Sequence, residues 1–471
     1  MGTRIADAPE YAHLWASGEL RELFDDTARL QSWLDILTEL AAAQADLGIV
    51  PAGAAQSIRE HARADRLRRD VLVDETRRTG HSTLGLIRAL QQMLPEHARE
   101  WVYYGATVQD LTDSWTALTA KRVGAIVRRD LLAIEGAAVE LAERHRDTPM
   151  VGRTHGQPGA PITFGFKAAT WADEVRRHIE RLEQGRPRWE VGQLGDAVGT
   201  LAFFGERGLE LRERFCARLG LHPPAISWLT ARDRVAEFGH VLAMVAATLG
   251  RIGNEIYTLQ RAEIGELREP SGDGSVGSIT MPHKRNPEVS EHLVTLSRLV
   301  RANAGVLLEG MLGEHERDGR SWKAEWVAFP EVCLLTGASA ALAREVLAGL
   351  EVDAGAMARN LAATGGDTAS ERLLAELAPR LGKHRAQEVL QEAIREGRER
   401  GEHLSDVLEQ RRHIFSDISG LTDETGLSDT AAEARPSGHA HLIAEPDVGC
   451  APAMVDAVAG TAHAARRDEG A

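Results

Sequence analysis

Ser278, Lys284 and Asn286 fall within nine positions of one another, placing a hydroxyl, a cation and an amide on one short piece of chain. The stretch around them, "SGDGSVGSITMPHKRNP" from Ser271 to Pro287, opens on glycines and closes on an Asn-Pro. Three kinds of chemistry suit that composition. Gly272, Gly274 and Gly277 match G-x-G-x-x-G, the spacing of a backbone cradle for a dinucleotide phosphate. Gly, Ser and Asp are also what flexible linkers are made of. The third possibility is a loop that moves and delivers a catalytic group, described by glycines ahead of a polar segment that Pro282 and Pro287 stiffen. A plain linker leaves the Ser, Lys and Asn unexplained, and a cradle needs a strand before its glycines and a helix straight after. Here a long helical pattern ending near "GELREP" comes first, so the residues favour the delivering loop.

Helices are what must position such a loop. Between Val235 and Leu259 the apolar residues Val235, Phe238, Leu242, Val245, Leu249, Ile252, Ile256 and Leu259 step by threes and fours, the seam of a long bundle helix. Similar patterns run through "ELRELFDDTARLQSWLDILTELAAAQADLG", "DSWTALTAKRVGAIVRRDLLAIEGAAVELAERH", "ITFGFKAATWADEVRRHIERLEQ" and "SEHLVTLSRLVRANAGVLLEGML". A helix is expected to begin near Glu288, just after the polar loop. Alternating β-branched runs with hairpin signals do not repeat, which makes the fold class nearly all-α, a bundle of long helices with smaller helical segments at both ends. The Ser/Thr/Asp/Gly-rich stretch from Leu421 to Pro446 reads as a loose excursion.

Composition narrows the partners. With 471 residues, 43% of them hydrophobic, the chain can bury a large core. A formal charge of -15 has the wrong sign for holding nucleic acid or an anionic membrane through the overall field, so neither is expected as a partner. Three widely spaced cysteines, Cys216, Cys333 and Cys450, indicate neither a disulfide framework nor a zinc site. None of the eighteen histidines forms an H-x-x-x-H pair with acidic company, and no catalytic metal or other cofactor is expected. "MGTRIADAPEYAHLW" lacks an apolar signal core, and no run of about eighteen apolar residues occurs, which points to the cytoplasm.

Three stretches, in order, carry a resemblance: "YYGATVQD" from Tyr103 to Asp110, "GRTHGQP" from Gly152 to Pro158, and "GSITMPHKRNPEVSE". They resemble the substrate-binding segments and signature loop of the fumarase/aspartase superfamily, whose members cleave C–N or C–O bonds of succinyl compounds and release fumarate. The likeness runs from about Trp15 to Leu408. It implies a homotetramer with a 20-helix central core, in which three subunits share each site and the partner is a small dicarboxylate. Residues 1–104, 105–356 and 357–471 would be an N-terminal helical domain, the long-helix domain and a C-terminal helical domain. By the resemblance Ser278 is the general base, which needs a closed loop to exclude water and supply donors to its alkoxide. Lys284 and Asn286 meet the dianionic carboxylate formed when the C–H proton leaves. His155 is the general acid, Glu291 the carboxylate that orients it, and Thr107, Thr154 and Arg317 hold the substrate carboxylates.

The branch is a hybrid. "EHERDGRSWKAEWVAFPEV" resembles the carboxymuconate cycloisomerases, whereas the histidine of "GRTHGQP" resembles adenylosuccinate lyase. Trp322 and Trp326 align with a Ser and an Arg that hold the nucleotide phosphate in adenylosuccinate lyases, and indoles cannot replace those groups around a dianion. Tyr103 and Val108 also stand where His and Ser are usual. The expected reaction is therefore β-elimination from a small 2-substituted succinate, nitrosuccinate giving fumarate and nitrite being the leading substrate. Carboxymuconate cycloisomerase and adenylosuccinate lyase are the alternatives, and a silent structural protein on the same fold is the alternative from another class.

Overall fold

The longest apolar seams of the sequence become the longest helices. The computed structural model describes residues 5–271, 279–411, 443 and 446–470. In chain order the elements that matter are α1 (Asp26–Asp46), α2 (Val108–Arg144), β1 (Pro149–Thr154), β2 (Gln157–Thr163), α3 (Phe164–Trp189), α4 (Gly208–Leu219), α5 (Asp233–Leu259), β3 (Leu267–Arg268), α6 (Glu288–Glu309), α7 (Gly319–Ala348), β4 (Glu351–Val352), α8 (Ser370–Leu381), α9 (Lys383–Arg400) and α10 (Leu404–Gln410). The fold is mostly helical, as the periodicity requires, and α6 begins at Glu288. All eight residues of the Val235–Leu259 seam are buried on α5.

The chain divides into two compact units, each built from three separate stretches. The first comprises Met1–Ala133, Val175–Asn254 and Glu288–Glu345. Within it, a cluster that includes Leu34, Leu37 and Leu40 of α1 with Leu211 and Phe215 of α4 forms one core. Along α5 two glycines permit close helix packing: a Cβ on Gly250 would lie 2.6 Å from the Ser297 Cβ of α6, and one on Gly253 2.9 Å from the Leu293 Cβ. The contacts run in opposite sequence directions, so α5 and α6 are antiparallel, and their backbones approach as only small residues allow.

The second unit comprises Ile134–Glu174, Glu255–Pro287 and Val346–Ala471. It holds two antiparallel ribbons, β1 with β2 and β3 with β4, and a small core made by Leu373 and Leu377 of α8, Leu390 of α9 and Val407 of α10. The two short ribbons are the non-helical part of this nearly all-α fold. The β1–β2 strands read "PMVGRT" and "QPGAPIT", and their Pro and Gly hide them from a search for β-branched alternation. A two-stranded ribbon tolerates such prolines because each strand has a free edge where no N–H is needed. Likewise, α5 stops at Leu259 and the short strand β3, rather than a helix, lies within "GELREP".

Among the described residues two helices, α5 and α7, are long and apolar enough to cross a membrane, but 72% and 61% of their apolar windows are buried inside the protein, as core helices are. Ser278 and most of the Leu421–Pro446 stretch lie outside the described residues.

Candidate active site

Thr107 precedes the first residue of α2, where unpaired backbone N–H groups collect. The Asp110 carboxylate reaches back to that end, its Oδ2 accepting from Thr107 N at 2.9 Å and its Oδ1 from Gly195 N at 2.8 Å. The first bond is the carboxylate half of a capping box, and it leaves the Thr107 hydroxyl for other work. That hydroxyl accepts from Arg317 Nη2 at 2.7 Å, and the guanidinium is exposed. The approach to α2 is tightly turned: Tyr103 and Gly105 both have positive φ, 61° and 72°. A Cβ on Gly105 would also collide with the Phe203 and Phe204 rings at 2.4–2.7 Å. Burial pushes the Asp110 carboxyl up to about 8 against the pull of its backbone donors, and pushes the Tyr103 phenol well above its usual range, with Asp110 adding to the second shift. Tyr103, Thr107, Asp110 and Arg317 thus form one cluster in the first unit.

Thr154 and His155 lie at the tip of the β1–β2 hairpin. Thr154 pairs with Gln157, leaving His155 and Gly156 as a two-residue turn with φ of 53° and 76°. Two positive φ values in succession give the type I′ geometry that matches strand twist, and the glycine supplies the second at no steric cost. The His155 ring is therefore carried at an exposed apex. The hairpin is tied below its tip, since Arg153 donates from Nη2 to Glu266 Oε1 at 2.8 Å and from Nη1 to Glu266 Oε2 at 2.9 Å. Glu266 is fully buried and also accepts from Asn360 Nδ2 at 2.8 Å. A bidentate pair of this kind fixes orientation as well as charge.

Lys284 is exposed and Asn286 half-buried, on the segment that leads into α6. The ends of the polar loop are clamped to each other. Gln260 accepts from Glu269 N at 2.7 Å and donates to Arg285 O at 3.2 Å, while Arg285 Nη2 donates to Glu269 O at 3.1 Å and pairs with Glu351 at 3.2 Å. Glu291 sits in the first turn of α6, exposed, where an acid favours the positive end of the helix.

Of the residues expected from the sequence, Thr107 and Arg317 are joined directly, and Thr154 and His155 are neighbours on one turn. Lys284 and Asn286 share the clamped segment, and Glu291 stands on its own helix in the first unit. The sequence reasoning missed Asp110, Arg153, Glu266 and Gln260 as supports. An acid three residues after a Thr at a helix start signals Asp110, but nothing local signals Glu266.

Trp322 and Trp326 lie on one face of α7 with ring centroids 4.9 Å apart and planes at 84°. Between them Glu325 faces the core and accepts from Arg232 Nε at 2.9 Å and Nη2 at 2.5 Å. Arg232 also holds Asp113 through two bonds of 2.9 and 3.0 Å. Burial opposes the charge on Arg232, but the Asp113 and Glu325 carboxylates outweigh it and raise its pKa, whereas burial pushes the Glu325 carboxyl up.

A family model described as lyase matches residues 15–301. The chain is 36% identical over 458 residues to N-acetyl-S-(2-succino)cysteine lyase of Dickeya dadantii (strain 3937), covering 97% of each protein. To nitrosuccinate lyase of Streptomyces davaonensis (strain DSM 101723 / JCM 4913 / KCC S-0913 / 768) it is 37% identical over 440 residues, 89% of this chain and 92% of that one. Among solved structures, the 3-carboxy-cis,cis-muconate lactonizing enzyme from Pseudomonas putida superposes with a TM-score of 0.85 at 32% identity, covering 96% of this chain and 98% of that chain.

Proposed function

The chain belongs to the fumarase/aspartase superfamily of lyases, and we propose that it removes a heteroatom leaving group from a 2-substituted succinate by β-elimination, releasing fumarate. The observation that carries this reading is the Thr107–Arg317 pair, a cation and a hydroxyl 2.7 Å apart at the start of a long helix. A carboxylate there meets a guanidinium, a hydroxyl and the positive helix end together. Ser278 takes the proton from the carbon beside the second carboxylate, and Lys284 and Asn286 stabilise the charge that the carboxylate gains. Thr154 holds the other end, and His155, oriented by Glu291, gives a proton to the leaving atom. Three subunits of a homotetramer supply these segments to each site, and no metal or other cofactor takes part.

Nitrosuccinate and N-acetyl-S-(2-succino)cysteine are the first substrates to test, since relatives are named for each and both carry the group on C2 of succinate. Ultraviolet detection of fumarate from a panel of 2-substituted succinates decides the matter. Turnover of at least one with release of fumarate supports the reading, and turnover of a carboxymuconate to its lactone alone replaces it with the cycloisomerase reaction.

A further inference from the structure

The first unit contains a cavity of about 700 Å³ whose walls include five of the chain's nine tryptophans, Trp15, Trp33, Trp115, Trp322 and Trp326, with Phe24 beside them. Part of the cavity wall is formed by α2 and α7, the two helices that Thr107 and Arg317 precede. Thr112 of its wall is five residues, about 7.5 Å of helix rise, beyond Thr107, and Trp322 is five residues beyond Arg317. A nitro group occupies a small fraction of such a volume.

The polar groups of the wall are largely engaged by the protein itself. Glu325 gives both oxygens to Arg232, Arg29 lies 4.8 Å above the Trp33 ring and pairs with Asp26 at 2.5 Å, and the Thr112 and Thr116 hydroxyls donate to backbone carbonyls at 3.1 and 3.0 Å. What remains to meet a ligand is mainly indole and phenyl surface. Arg21, Thr76 and Ser82 also line the cavity, and the buried Trp33 indole N–H has, among the described residues, no partner. Walls of this kind take an apolar group, aromatic for preference, and reward it for area removed from water.

We infer that this cavity is the seat of the leaving group, and that the enzyme prefers 2-substituted succinates whose substituent is a bulky, uncharged apolar body joined through a heteroatom. This rests on the lyase reading above. For a thioether the step balances without an oxidant: the C–H bond beside the carboxylate breaks, its electron pair forms the double bond of fumarate, and the C–S pair leaves with sulfur, which takes a proton to give the thiol.

The test compares 2-(benzylthio)succinate with 2-(methylthio)succinate. Wild-type kcat/KM is expected to favour the benzyl compound by about tenfold or more, the value of burying a phenyl ring against aromatic walls. Trp326→Ala, at a residue 45% exposed and so outside the buried core, is expected to collapse that preference ratio by about tenfold. A wild-type ratio near one, or a ratio that Trp326→Ala leaves unchanged, overturns the inference while leaving the lyase reading in place. Should neither compound yield fumarate, the lyase reading fails for thioethers and the cavity is judged by binding alone. Saturable quenching of tryptophan fluorescence by 2-(benzylthio)succinate, weakened at least fivefold in Trp326→Ala, then supports the seat, and its absence overturns it.

Discussion

Replacing Glu266 by Gln keeps the shape of the side chain and removes the charge that Arg153 pairs with. The carboxylate accepts three bonds of 2.8, 2.9 and 2.8 Å, two of them from a guanidinium. Charge-assisted bonds contribute about 1.5–3 kcal/mol each, and stranding one member of a buried pair costs about 3–5 kcal/mol. The Arg153 side chain is 21% exposed, so water relieves part of that loss, and the lower figure of about 3 kcal/mol applies. Spent locally, 3 kcal/mol raises the opening of the β1–β2 hairpin roughly a hundredfold. Hydrogen exchange in the segment 149–163 should therefore speed up by about that factor, with little change in the first unit. Because Thr154 and His155 ride on the hairpin tip, kcat should also fall by about ten- to a hundredfold, the loss that a misplacement of about 1 Å produces. Asp456→Asn is the control. It breaks an exposed pair with Arg146, 38% and 57% exposed, and should cost less than about 1 kcal/mol. Unchanged exchange across 149–163 in Glu266→Gln, with kcat within twofold of wild type, refutes the idea that this buried pair fixes the hairpin.

Four further outcomes are expected. Asp110 ionises near 8 in the folded chain and near 3.8 when unfolded, so the folded state holds an extra proton between those values. Stability from this group is full below about pH 4 and is lost as pH rises towards 8, at up to about 1.4 kcal/mol per unit, and Asp110→Asn should flatten that part of a denaturation-versus-pH curve. Gly250→Val should separate α5 from α6 at Ser297 and cost about 1–3 kcal/mol or more by denaturant titration, whereas the same change at Gly305, which has nothing within 4 Å, should cost less. His155→Ala should slow an amine- or thiol-type substrate more than nitrosuccinate, whose nitrite leaves without a proton, and equal losses would assign His155 to positioning. Finally, AMP should not compete at micromolar concentration, because Trp322 and Trp326 offer a phosphate no cation and at most two indole N–H groups, and burying the dianion there costs several kcal/mol. Inhibition by AMP, or cleavage of adenylosuccinate, would reverse this.

What could be read from the sequence followed from the period of its apolar residues. The seam from Val235 to Leu259 and the helix start at Glu288 are local properties, and both are where the pattern puts them. The β1–β2 hairpin was not legible by that route. Its strands are marked by the His-Gly turn rather than by β-branched alternation, and its register is held by Arg153 and Glu266, 113 positions apart. A lone acid in "GELREP" gives no hint of its distant partner. The candidate site divides the same way: Thr107, Thr154, His155, Lys284 and Arg317 stand out through their motifs, whereas Glu266, Gln260 and Arg232 acquire meaning only from long-range bonds.

The supports have a common physical cause. Thr107, His155 and Arg317 are proposed to face a substrate and stand at or near the surface, so apolar burial does not hold their side chains in place. Directional bonds from buried groups do so instead. Asp110 fixes the backbone under Thr107, Glu266 grips the residue before Thr154, and Glu325, between Trp322 and Trp326, is held by Arg232. In each case a carboxylate at most 7% exposed lies within three positions of a residue proposed to meet substrate, or is bonded to such a residue's immediate neighbour. Replacing any one of the three carboxyl groups should therefore affect geometry before affinity, raising local exchange and lowering kcat. Removing Arg317, which is exposed and is proposed to meet the substrate itself, should chiefly raise KM.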